Sequence, residues 1–245
     1  MKNNDSKYSR FIKLIPTYNE RENISALSRL VFDAAPGVRL LIIDDNSPDG
    51  TADLVSEMKG NFPDMDVYKR VGNKGFGKSY LDGFRIVLND DRYDYVGMMD
   101  ADFSHNPAVI PAMFEKLADC DVVVGSRYIR GGGISNWNFK RRMLSRFANF
   151  YARTILGIPV RDLTTGFMCF KKETLKNIDL DSIQSDGYAF LIELKYKLYK
   201  AGYKTVEYPI IFSERREGQS KMSSKIIWEA VKLPWRLRFQ TKGTF

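Results

Sequence analysis

Short apolar, β-branched runs recur along the chain at intervals that leave room for one helix between each pair: FIKLI (11–15), VRLLIIDD (38–45), a segment near 66–71, YVGMM (95–99) and DVVVG (121–125). Helical patterns lie between them, after PTYNERENI, near 79–89 and from Pro107 onward. Strand and helix taken in turn give βαβ units, whose consecutive strands run parallel and whose helices cover both sheet faces. This alternation predicts an α/β fold with a mostly parallel sheet and places function at the carboxyl ends of the strands. A chain of 245 residues, 44% hydrophobic and without a low-complexity tract, has enough material for one such domain with a buried core.

The character changes after Gly131, Gly132 and Gly133. Residues 139–156, FKRRMLSRFANFYARTIL, have the spacing of a basic amphipathic helix; strands are expected near 167–170 and 204–212, and a second amphipathic segment, SSKIIWEAVKLPWRLRF, follows at 223–239. We read a single domain over 1–245, with a nucleotide-binding half at about 8–130 and a lid-like or membrane-facing part at about 131–240. A net charge of +8 calls for an anionic partner, which the charge alone leaves open among nucleic acid, a phosphorylated substrate and an acidic membrane. No run approaches the roughly 18 apolar residues a spanning helix needs, so the expectation is a soluble or peripheral protein. Cys120 and Cys169, without CxxC spacing, read as buried free thiols in a reducing compartment, and His105, the only histidine, rules out a His/Cys zinc cluster.

Four polar clusters follow expected strands: PTYNE (16–20), DDNSPDGT (44–51), GNKGFGKS (72–79) and DADFSH (100–105). In a parallel sheet such ends share one edge, so all four can face a single crevice. Gly72, Gly77, Lys78 and Ser79 also satisfy the P-loop pattern GxxxxGK[ST]. That rival predicts nucleotide triphosphate binding lost on Lys78→Ala. Against it, DMDVYKRV is too charged for the buried strand that feeds such a loop, and PTYNE and DDNSPDGT are left without roles. Asp100 and Asp102 could be a solvated strand end. Alternate residues at a strand terminus can equally bring two carboxylates to one divalent ion, and oxygen ligands suit Mg²⁺ or Mn²⁺. His105 reads as a local hydrogen-bonding residue.

In order, IPTYNERENI, IIDDNSPDGTAD, MDADFSHNP, VVGSRYIRGGGISNW, RDLTTGF and GQSK resemble the family 2 glycosyltransferases of the GT-A (Rossmann-like) fold, and within them the polyprenol-phosphate (dolichol-phosphate) mannose synthases. The resemblance spans nearly the whole chain. It implies inverting transfer of mannose from GDP-mannose to a polyprenyl phosphate, with a glucose or other UDP-sugar donor on the same lipid class as the nearest alternative. It implies that Pro16, Tyr18, Glu20 and Asp45 meet the nucleotide, with Lys74 and Ala101 beside the donor. Asp100 and Asp102 would hold the metal on the diphosphate, with Ser104 where some relatives carry a further ligand. Arg127 and Arg141 match positions for the acceptor phosphate, Arg215 and Lys221 positions at the donor diphosphate, and Asp162 an acidic position that orients substrate or an arginine. Glu193, in GYAFLIE, is expected on a helix that approaches the sugar; Asp162 and Glu193 could instead be purely structural.

The amphipathic segments bear on the charge. Phe139, Met143, Phe147, Phe150 and Tyr151 can share one face with Lys140, Arg142, Arg146 and Arg153 around it, and Trp228 and Trp235 lie two turns apart in the later segment. Such stripes are commonly core, but aromatics beside Lys and Arg also suit a helix in the headgroup layer, which a lipid acceptor demands. The basic charge then favours anionic lipid; no nucleic-acid motif occurs. The resemblance is to short, peripheral members working at the cytoplasmic face of a membrane, some of which use small membrane subunits.

Overall fold

The runs LLII (40–43), YVGMM (95–99) and VVVG (122–125) are almost wholly apolar, so the sheet they form must be covered on both faces. The computed structural model describes residues 6–213 and 224–239. From the amino end come β1 (Phe11–Thr17), α1 (Arg21–Ala34), β2 (Arg39–Asp44), α2 (Thr51–Met58), β3 (Met65–Lys69), α3 (Phe76–Leu88), β4 (Tyr95–Met98), a 3-10 turn and α4 (Ile110–Lys116). Then follow β5 (Val122–Ser126), β6 (Gly133–Ile134), α5 (Phe139–Leu156), β7 (Met168–Lys171), α6 (Lys172–Lys176), α7 (Gly187–Lys200), β8 (Thr205–Pro209), β9 (Ile211–Phe212) and α8 (Ser224–Phe239).

The main sheet has the order β3-β2-β1-β4-β7-β5-β8, and β6 pairs with β9 in a separate ribbon. β1, β2, β3 and β4 run parallel, in a register that sets Thr17 beside Asp44 and Asp44 beside Lys69. β7 is antiparallel to both β4 and β5. The strand expected near 204–212 is split at Ile210, its first part joining β5 in the main sheet and its second pairing with β6. The helix expected from residue 79 begins at Phe76, where Gly77 lies so close to the Phe190 ring that a Cβ would stand 2.9 Å from it.

Strand residues alternate between two cores, as a period of two requires. Leu14, Met98, Val124 and Met168 point to the layer of α3, α5, α7 and α8, while Ile15, Met99, Val123 and Cys169 point to that of α1, α2 and α4. Cys120 and Cys169 are both buried and free. Lys13 is buried in the second layer with its ammonium 4.5 Å from the centre of the Phe167 ring, and burial lowers its pKa to about 8. Gly97 admits it: a Cβ there would be 2.6 Å from the lysine side chain.

α5 occupies the stretch its periodicity predicts. Asn138 caps it by accepting from the Arg141 amide at 2.9 Å, and Gly157, in the left-handed region at φ 66°, closes it. The helix buries Asn149, Ala152 and Leu156 but leaves Phe139, Met143, Leu144, Phe147 and Phe150 exposed. α8 packs beside it. Tyr151 donates to the Val231 carbonyl and accepts from the Trp235 indole, while Trp235 and Phe239, both exposed, stack on each other. No helix among the described residues is long and apolar enough to cross a membrane.

Candidate active site

The strand ends of β1, β2 and β4 meet the start of α3 around a cavity of about 210 Å³ lined by Pro16, Thr17, Tyr18, Glu20, Asp45, Phe76, Ser79, Asp100, Ala101 and Asp102. The four polar clusters therefore share one crevice. Lys74 is at its rim, its ammonium 4.0 Å from the centre of the Tyr18 ring.

The crevice walls are held by carboxylates. Asp44, fully buried, accepts from the Thr17 and Ser47 hydroxyls and the Ser47 amide, which turns the chain after β2 back across β1. Asp45 accepts from Arg70 and, at 2.8 Å, from the Gly75 amide; Arg70 also donates to Asp82. Asp186 accepts from the Gly77 amide at 2.6 Å. These contacts decide the P-loop question. A phosphate cradle needs the amides of its glycine loop free and convergent, whereas here Gly75 and Gly77 give theirs to carboxylates that would repel a phosphate, and the loop follows the sheet's edge strand.

At the end of β4, Asp102 accepts from the Ser104 amide at 3.0 Å, and the Ser104 hydroxyl is buried without a hydrogen-bond partner. The Asp100 amide donates to His105 Nδ1 at 3.2 Å, which puts the proton of a neutral imidazole on Nε2, and His105 stacks on Phe167. Gly166, from the TTGF turn, passes so close that a Cβ would meet Asp100 Oδ1 at 3.1 Å. No cluster of three His, Cys, Asp or Glu side chains forms among the described residues. The donor set at the crevice is the two carboxylates of Asp100 and Asp102; Ser104 is buried and is not among the lining residues. Such hard oxygen donors would suit a divalent cation such as Mg²⁺ or Mn²⁺.

The cationic wall rests on Arg127. Its guanidinium is buried and forks onto Asp162 through Nε and Nη2, each at 2.7 Å, with Nη2 also donating to Thr164. Burial pushes the Asp162 carboxyl up, but the Arg127 charge and hydrogen bonds outweigh it and hold the pKa below the usual value. The Asp162 charge thus cancels that of Arg127, which leaves the unpaired Nη1 edge as what Arg127 can offer an anion. Arg127 lies over the Tyr128, Trp137 and Phe212 rings, and Arg141 stacks on Trp137 at 4.0 Å. Arg215 and Lys221 lie outside the described residues, as does the side chain of Trp228.

Glu193 is buried and accepts from the Ser185 amide, 3.9 Å from Arg236. Sequence reasoning missed Arg70, Asp186 and Lys195. Lys195 donates to the Leu163 and Thr165 carbonyls at 3.0 and 2.7 Å, fixing the TTGF turn under Asp100, and burial lowers its pKa to about 7. The signal for Asp186 was an Asp-Gly pair opening an apolar helical run, a helix N-terminus. Arg70 and Lys195 carry no pattern of their own.

The Glycosyl transferase family 2 model matches residues 14–179. A polyprenol monophosphomannose synthase of Mycolicibacterium smegmatis is 41% identical over 91% of this chain and 84% of its own length. An undecaprenyl-phosphate mannosyltransferase of Micrococcus luteus is 40% identical over 91% of each chain. A dolichol-phosphate mannosyltransferase of Pyrococcus furiosus is 34% identical over 91% of this chain and 62% of its own. Among solved structures, glucosyl-3-phosphoglycerate synthase from Mycobacterium tuberculosis, in complexes with UDP and Mn²⁺ or Mg²⁺, superposes with TM-scores of 0.67 and 0.66. Those two matches cover 95% and 96% of this chain and 80% of that one, at 14% identity, a likeness of fold.

Proposed function

The chain belongs to glycosyltransferase family 2, among the polyprenyl-phosphate mannose synthases, and from that premise we propose that it transfers mannose from GDP-mannose to a polyprenyl phosphate, inverting the anomeric carbon and releasing GDP. The observation that carries this reading is the convergence of Pro16, Tyr18, Glu20, Asp45, Asp100 and Asp102 on one crevice, with Arg127 and Arg141 sharing the Trp137 ring.

Tyr18, Glu20, Asp45 and Lys74 would bind the nucleotide, Lys74 lending positive charge at the rim. Asp100 and Asp102 would hold Mg²⁺ or Mn²⁺, which when bound neutralises the negative charge that develops on the departing diphosphate. Ser104, two residues beyond Asp102 with its hydroxyl unpartnered, would offer that hydroxyl to the ion or to its water. Arg141 and the Nη1 edge of Arg127 would receive the acceptor phosphate, and Asp162 and Thr164 keep the Arg127 fork from swinging. A phosphate acceptor is already ionised near neutral pH, so the site has no need of a general base to create the nucleophile. The exposed aromatic faces of α5 and α8 would rest on the membrane that carries the acceptor, at its cytoplasmic side.

The test is incubation of the purified protein with GDP-mannose, Mg²⁺ or Mn²⁺ and a short polyprenyl phosphate. The expected product is a β-linked polyprenyl phosphomannose, with transfer lowered on the order of a hundredfold or more in Asp102→Asn. Preference for a UDP-sugar in a donor panel, an α-linked product or full activity of Asp102→Asn would overturn the corresponding part.

A further inference from the structure

A second and larger cavity, about 340 Å³, opens between α5 and the segment after β5, and it shares no lining residue with the donor crevice. Four arginines and no carboxylate line it. Arg127 is neutralised by Asp162, but Arg146 and Arg153 from α5 and Arg161 from the approach to β7 form no ion pair with any described residue. Three uncompensated guanidinium groups around one hollow repel one another unless an anion sits among them. Tyr128 feels the same field: burial raises its pKa, while Arg127 and Arg146 both act to lower it. Phe150, which also lines the cavity, is 66% exposed, and Phe147 one turn away is 64% exposed. The mouth of the cavity is therefore continuous with the apolar row of α5.

Guanidinium forks match phosphate oxygens, and a basic hollow beside exposed aromatic rings has that chemistry where headgroups end and acyl chains begin. We propose that this cavity binds the phosphate headgroup of an anionic phospholipid through Arg146, Arg153 and Arg161, away from the donor crevice and beside the acceptor phosphate that the Arg127 edge would receive, and so fixes the seating of α5 on the bilayer. The proposal rests on the membrane-bound acceptor of the preceding section but not on the identity of the sugar.

Sedimentation with phosphatidylcholine vesicles, with and without phosphatidylglycerol, tests it. The triple variant Arg146→Gln, Arg153→Gln, Arg161→Gln should lose phosphatidylglycerol-dependent binding on the order of a hundredfold, three charges each acting near an anionic surface. A charge-matched triple elsewhere, Lys69→Gln, Lys116→Gln, Lys176→Gln, should lose much less. The single changes, about fivefold each, keep the test open should the triple fail to fold. Equal losses in the two triples would reduce the effect to overall charge and overturn the site. So would wild-type binding that ignores phosphatidylglycerol. Transfer from GDP-mannose to a short polyprenyl phosphate in detergent, without vesicles, is expected to be unchanged in the arginine triple. A raised KM for the acceptor there would instead make the cavity part of the acceptor site. Absence of transfer in the wild type with headgroup binding intact would count against the mannosyltransferase reading alone.

Discussion

Arg127 and Asp162 are almost without solvent, at 5% and 0% exposure, so neither charge is tolerable without the other. Asp162→Asn keeps the shape of the side chain but strands the guanidinium, and should cost about 3–5 kcal/mol of stability by urea unfolding at neutral pH. Because the folded state holds the Asp162 pKa below its ordinary value, the carboxylate contributes stability above roughly pH 4, lost as pH falls through the lowered folded value. The gap between wild type and Asp162→Asn should therefore narrow on acidification, and a gap that is constant down to the acid transition would refute the assignment. The crevice residues could be read in sequence because each follows a strand in a polar cluster, and strand ends of a parallel sheet must converge. Arg127 could be found too, through its motif, and Asp162 as a position that orients substrate or an arginine, but not that the two pair. Asp162 lies 35 positions away, on the segment that leads into β7, and the pairing of β7 with β5 helps bring the two together. Arg70 and Lys195 were invisible for the same reason: a lone cation reads as surface until a fold surrounds it.

At the scale of elements, α5 would link the proposed acceptor site to the proposed membrane face. Its first turn carries Arg141, and the Asn138 cap holds that turn through the Arg141 amide. Asn138→Ala should cost about 1 kcal/mol of stability and, by loosening the turn, raise KM for the polyprenyl phosphate more than it lowers kcat. An equal fall in both acceptor and donor affinity would show general damage instead. The exposed aromatics make the opposite prediction. Phe147→Ser with Phe150→Ser removes no buried contact, so Tm should stay within a degree or two while partitioning onto vesicles falls; lost stability with intact partitioning would mean that this face packs on protein. α5 was readable to its last residue from its spacing, and the Asn138 cap and Gly157 found in the structure agree with it. β7 was located but not oriented: an apolar run of four residues carries no mark of direction. The break between β8 and β9 is likewise set by pairing with β6, a two-residue strand with no apolar period of its own.

At the scale of the whole molecule, the sheet brings two carboxylates from one strand end and polar residues from two others around one crevice. The carboxylates alone make a poor metal site. Asp100 and Asp102 supply two side chains, and the count among the described residues stops short of three acidic, histidine or cysteine ligands. Tight binding of Mg²⁺ or Mn²⁺ must therefore wait for the diphosphate oxygens to complete the coordination, and the diphosphate in turn meets acidic repulsion until the cation arrives. Donor nucleotide and metal should bind as a coupled pair, each raising the other's affinity by the same factor. In thermal unfolding, GDP without metal and metal without GDP should each shift Tm little. Together, at about a hundred times the coupled Kd, they should stabilise by about 2.7 kcal/mol, and chelation should reverse the gain. Asp102→Asn should reduce the joint shift toward the sum of the separate ones. If GDP gave its full shift in the presence of chelator, the carboxylates would not be gripping a metal on the diphosphate, and their place at the crevice floor would need another explanation.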